Sequence, residues 1–141
     1  MYAKIQREFY RKSALLMLGR HAEMATGYRF PLSIRLEGNL VVLHDSAQLV
    51  LLLQGLHRAL VRRGVVQVQS DILAVELPRE GRFRVWIKWE EIGPTRQDYR
   101  SSDAIYSGQI TQKGFMIDSV NYTRLSMPEL REIFAPSALS A

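Results

Sequence analysis

The stretch RFRVWIKWEE, residues 82–91, alternates without a break. Phe83, Val85, Ile87 and Trp89 fall on one side. Arg82, Arg84, Trp86, Lys88 and Glu90 fall on the other. A period of two is the signature of a β-strand with one face on a core and one toward water. The polar side is unusual only in setting a tryptophan among three cations. That arrangement suits a subunit contact, a nucleic-acid platform or a solvated face.

Working outward, AIYSGQIT (104–111) and FMIDSVNYT (115–123) read as two further strands joined through Gln112, Lys113 and Gly114. On the N-terminal side, VVQVQSDILAVEL (65–77) reads as one long strand with a change of phase. Val66 and Val68 share one parity; Leu73, Val75 and Leu77 share the other. The slip falls near Ser70–Asp71 and implies a β-bulge there. PREG (78–81) is a turn, and GPTRQDYRSSD (93–103) is a polar connection. Four consecutive antiparallel strands, one of them bulged, predict a strongly curved sheet.

The preceding half is helical at both ends. Residues 3–25 carry Ile5, Phe9, Leu16 and Met24 at helical spacing, with Ala14, Met17 and Leu18 beside them. This predicts one long helix with Arg7, Arg11, Lys12 and Arg20 turned away and Gly27 as its stop. PLSIRLE and LVVLH, separated by Gly38–Asn39, read as strands. Asp45 or Ser46 then caps a second helix, with Gln48 in a capping-box-like position. Leu49, Leu52, Leu53, Leu56 and Leu60 form its apolar stripe, Arg62 and Arg63 complement its C-terminal dipole, and Gly64 ends it. Ser126, Pro128 and Glu129 predict a short terminal helix over 127–134. The whole reads as a single domain over residues 1–135, with 136–141 a frayed tail. Helices segregated from a curved antiparallel sheet define an α+β class, with the leucine-rich helix filling the concave side.

Composition bounds the function. The 141 residues are 47% hydrophobic and 23% charged, enough for a real core. There is no cysteine, which removes disulfides, thiolate metal sites and cysteine nucleophiles and fits a cytoplasmic protein. IQREFYRKS places charges where a signal peptide needs an apolar run, and LVLLL (49–53) is too short to span a bilayer. The net charge of +5 resides in residues 1–64, which balance to +6; residues 65–141 balance to −1. No run of basic residues exceeds two, so a solvated helix surface accounts for it. The three histidines His21, His44 and His57 lack metal-ligand spacing. No glycine-rich phosphate loop or GxSxG elbow occurs.

In the order of its elements the chain resembles the nuclear transport factor 2-like superfamily, close to its SnoaL-like group. The likeness lies in YRFPLSI, in LVVLHDSAQL leading into a helix that ends LVRRGV, and in GRFRVWIKWEE, SDAIYSGQIT and FMIDSVNYTRL. It covers about residues 2–126. It implies a cystatin-like, cone-shaped roll: a bent sheet wrapped around helices, sometimes enclosing a small-molecule pocket, with the outer sheet face pairing two subunits. Members include isomerases, cyclases, dehydratases and binding proteins, so the resemblance selects no activity.

Enzymes of this superfamily use a cone Asp or His as acid/base, helped by Tyr. The candidates here are Asp71, His57 and Tyr122, followed by His44, Asp118, Tyr28, Tyr99 and Tyr106. Each has a structural alternative. Asp71 falls at the proposed bulge, His57 on a helix flank, His44 at a strand end, and the direction of Asp118 depends on register. The expected pocket draws on Tyr28, Asp71, Trp89, Tyr106 and Tyr122. The expected subunit contact draws on Arg84, Trp86 and Lys88, with Arg84 or Lys88 facing Glu90 or Glu76 of the partner. A nucleic-acid platform needs more than the single aromatic this face offers. The reading is therefore a homodimer binding a small apolar or amphipathic ligand, with no cofactor, metal or membrane. The alternative is an isomerase, cyclase or dehydratase working by proton abstraction.

Overall fold

The computed structural model describes residues 1–95, 100–125 and 128–133. Its elements are α1 (Tyr2–Met17), α2 (His21–Ala25), β1 (Tyr28–Leu36), β2 (Asn39–Leu43), α3 (Ser46–Arg62), β3 (Gln67–Val75), β4 (Arg82–Ile92), β5 (Arg100–Thr111), β6 (Gly114–Arg124) and α4 (Pro128–Ile133). The predicted roles of Ser126 and Tyr99, and of the tail 136–141, lie outside the described residues.

The expected long first helix is two helices. Gly19 takes φ +76, and Arg20 N–H donates to Leu15 O while Gly19 N–H donates to Leu16 O. This is a Schellman stop, which needs a residue free to adopt the left-handed region. Gly64 (φ +78) ends α3 in the same way, through Val65 N–H to Leu60 O and Gly64 N–H to Val61 O. At the start of α3, Asp45 is the cap: Gln48 N–H donates to Asp45 Oδ1 at 2.9 Å. The Gln48 side-chain Oε1 in turn accepts from His44 N–H at 2.7 Å.

Six strands form one sheet in the order β2-β1-β6-β5-β4-β3. β3 to β6 are an antiparallel meander, as their alternation and turns predict. The β1–β2 hairpin joins it through a parallel pairing of β1 with β6, so the sheet as a whole is mixed. Curvature comes from bulges. The one in β3 sits at Leu73, between Ile72 and Ala74, two residues beyond its predicted place. Val68, Ser70 and Ile72 consequently point inward, and Leu73 and Leu77 are left exposed. Between β5 and β6 the register shifts at Ser107/Gly108 and at Asp103/Ala104.

The core is the concave side. Phe83, Val85 and Ile87 of β4 are buried, and Trp89 packs partly buried beside them. Phe83 stacks on Phe115 at 4.6 Å. Phe9 of α1 descends onto this layer, 4.9 Å from Tyr106 edge-on. The five leucines of the α3 stripe are all buried opposite, and Leu51 faces outward. One expectation for α1 is corrected: Lys12 faces the core and is only 7% exposed. It lies three residues after Phe9 and seven after Ile5, which is the buried face of a helix. Its ammonium sits 5.6 Å from the Phe9 ring centroid and 5.7 Å from that of Tyr28. Burial lowers the Lys12 pKa, and the Glu8 carboxylate opposes that shift. No helix among the described residues is long and apolar enough to cross a membrane.

Candidate functional site

Between α1, α3 and the sheet lies a cavity of about 70 Å³. Its roof is the leucine stripe of α3, from Leu49 to Leu60. Its floor is the inner sheet face, where Tyr106 of β5 and Tyr122 of β6 come together with Trp89 of β4 and Tyr28 at the start of β1. The antiparallel registers explain this meeting. Ala104 pairs with Tyr122, two residues from Tyr106, and Ser102 pairs with Trp89 on the other side. These four residues line one cavity.

Two of the aromatic polar atoms are hydrogen-bonded to each other. Trp89 Nε1–H donates to Tyr106 Oη at 2.8 Å, and Tyr122 lines the cavity with them. Burial raises the pKa of all three phenols, Tyr28, Tyr106 and Tyr122, because a phenolate there would lose its hydration. They are therefore neutral hydroxyls at physiological pH, able to donate to an oxygen entering the cavity.

The remaining candidates are placed elsewhere. Asp71 is exposed and lines a separate cleft between α1 and β3, because the bulge at Leu73 leaves Ser70 rather than Asp71 on the inner face. Asp118 is the extra residue where Ser107/Ser119 gives way to Gly108/Ile117, and it is paired with Arg82 through two 2.9 Å contacts. His57 packs edge-on against His21, with ring centroids 5.2 Å apart, away from the cavity. His44 is exposed beside the α3 cap. Among the described residues no three His, Asp or Glu side chains group closely enough to hold a metal ion.

The acidic residue that does line the cavity is Glu91, 2% exposed and ion-paired with Arg63 at the end of α3. The sequence carried a signal for it. The alternation of Phe83, Val85, Ile87 and Trp89, extended by one step, lands on Glu91. Ser13 is the other polar residue missed; it lies one residue past Lys12 on the buried face of α1.

On the convex face, Trp86 is half-buried under the Arg84 guanidinium, 4.9 Å above its ring. Arg84 also pairs with Glu76 at 2.7 Å, and Lys88 with Glu90 at 3.4 Å, within the same chain. The charges expected to reach a partner thus already have mates in this chain.

No family model matches the sequence, and no curated protein matches it. Solved structures do. A domain of unknown function with a cystatin-like fold from Nostoc punctiforme superposes with a TM-score of 0.68 at 16% identity, over 94% of this chain and 82% of that one. An NTF2-like protein with a cystatin-like fold from Novosphingobium aromaticivorans gives 0.66 at 14%, over 95% and 88%. ActVI-ORFA from Streptomyces coelicolor gives 0.64 at 13%, over 89% and 95%. The chain therefore has the cystatin-like, NTF2-like fold that its strand order implied, and no specific activity is established for it.

Proposed function

We propose that the cone binds a small apolar or amphipathic molecule, in a cytoplasmic homodimer paired through the outer sheet face. The observation that carries the binding reading is an apolar cavity on whose floor the neutral hydroxyls of Tyr28, Tyr106 and Tyr122 and the indole N–H of Trp89 converge. Apolar walls with a few convergent polar groups are the usual form of a ligand site. At about 70 Å³ the resting cavity is below the roughly 300 Å³ of a drug-sized site. Leucine side chains of α3 must therefore swing aside to admit a ring. Trp86 on the convex face supports the dimer, although its cover of Arg84 reduces the apolar area a partner would gain.

The test uses the two indole N–H signals in an NMR titration with 1-naphthol. Trp89 should shift saturably while Trp86 stays still. Phe in place of Leu56, filling the cavity, should abolish the shift. Equal or absent responses from the two indoles would overturn the reading.

A second reading rests on Glu91. It is a buried carboxylate lining the cavity, ion-paired with Arg63, and a SnoaL-like isomerase or cyclase would need an acid/base residue in such a place to move a proton. Exchange of the α-hydrogens of 2-tetralone for deuterium, followed by NMR, tests it. Glu91→Gln should slow a catalysed exchange by about 100-fold or more. Exchange no faster than in buffer leaves the binding reading alone.

A further inference from the structure

The cavity has a neighbour. A cleft of about 470 Å³ opens to solvent between α1 and β3. Ser13 and Val68 line both hollows, one from each element, so these two side chains are common to their walls. Both are buried. Ser13 is held on its own helix by donating to Tyr10 O at 2.9 Å. The shared wall thus presents one small hydroxyl and one isopropyl group.

The two hollows differ in chemistry. The inner one is walled by leucines and rings. The outer one is edged by Gln67, Gln69, Ser70 and Asp71 over a floor of Ala14 and Met17. No Lys or Arg is among its lining residues, where Asp71 is the one charged residue; Lys88 stands opposite Asp71 on β4. The cleft offers amides, hydroxyls and one carboxylate, which suit a neutral or protonated-amine group and disfavour an anion. Its volume falls in the range of ligand sites, which that of the inner cavity does not.

We propose that the cleft between α1 and β3 is the outer chamber of the ligand site, seating a neutral or amine-bearing head group while the apolar end of the same molecule passes between Ser13 and Val68 into the cavity. This rests on the binding reading above. It adds the direction of entry, the polarity of the ligand and a role for Asp71 as a specificity-determining residue.

The experiment follows association of 1-naphthol with the Trp89 indole signal by lineshape analysis, in wild type, Val68→Phe, Val68→Ala and Val120→Leu proteins. Val120 lines the cavity but not the cleft. Val68→Phe should slow association at least tenfold and Val68→Ala should speed it, while Val120→Leu weakens binding with little change in the association rate. Ser13→Leu should slow entry from the helix side, and serves if Val68→Phe does not fold. Association unchanged in these doorway variants overturns the route, even where binding itself is intact. No binding to wild type at all overturns the cavity reading and the route with it. For the head group, 1-naphthylmethylamine should bind several-fold tighter than 1-naphthoate, and Asp71→Asn should shrink that preference about threefold, the scale of one exposed charge. Equal affinities, or a preference untouched by Asp71→Asn, overturn the role of Asp71.

Discussion

His21 is a buried histidine whose charge the fold resists. Burial lowers its pKa from 6.5 and the neighbouring His57 lowers it further, against the contact of Nε2 with Leu16 O at 3.1 Å, which raises it. The unfolded chain thus takes up a proton on His21 at a higher pH than the folded one does. Stability is complete above pH 6.5 and is lost as pH falls through the lowered folded value. Wild type should lose melting temperature between pH 7.5 and 5.5, by about 3 °C for each kcal/mol in a chain of this size. His21→Gln should lose less over the same interval, and a circular-dichroism melt at the two pH values checks it. At this scale the sequence was legible where a residue obeyed a period. Trp89, Tyr106 and Tyr122 could be placed by alternation. Lys12 could not be placed by its type, because a lysine is expected outside. Its position relative to Ile5 and Phe9 was the better guide.

Among the elements, β5 and β6 depend on one missing side chain. A Cβ at Gly108 would be driven into the carbonyl oxygen of Met116, at the step where the register shifts. Backbone cannot retreat as a flexible side chain can. Gly108→Ala should therefore destabilise the protein by about 3 kcal/mol or more, at the high end for single substitutions, measured by urea unfolding. The α3 cap is a milder dependence. Asp45→Ala removes the acceptor for Gln48 N–H and should cost about 1 kcal/mol. The glycine stop of α3 and the leucine stripe could be read directly, since both are local. The bulge could not be located as well. Its presence follows from a change of parity, but any of several residues between Val68 and Val75 satisfies the pattern. Pairing with β4 decides among them, and that choice moved Asp71 out of the cavity.

For the molecule as a whole, pairing through the outer face has a direct test. If two copies pair there, Trp86→Glu places a carboxylate at the contact and removes the ring that Arg84 covers. Folded monomers should result at micromolar concentration by light scattering, where wild type gives dimers. Wild type already monomeric would remove the dimer. The curved α+β architecture was legible because alternation, turns and helix caps all agreed on it. The parallel join of β1 to β6 was not, since nothing local in PLSIRLE or FMIDSVNYT announces a partner so distant along the chain.

That join also sets the order in which the chain can mature. Ile34 aligns with Val120, and Gly27 O accepts from Ile117 N–H at 3.0 Å. The β1–β2 hairpin therefore waits, its β1 edge unmated, until β6 has been made. Closing so long a loop is entropically costly before any contact rewards it. The meander from β3 to β6 is the natural nucleus, and the β1–β2 hairpin the late arrival. Until it docks, the exposed edge of β1 is the segment on which a nascent chain would be most open to chaperones and to pairing with other copies of itself.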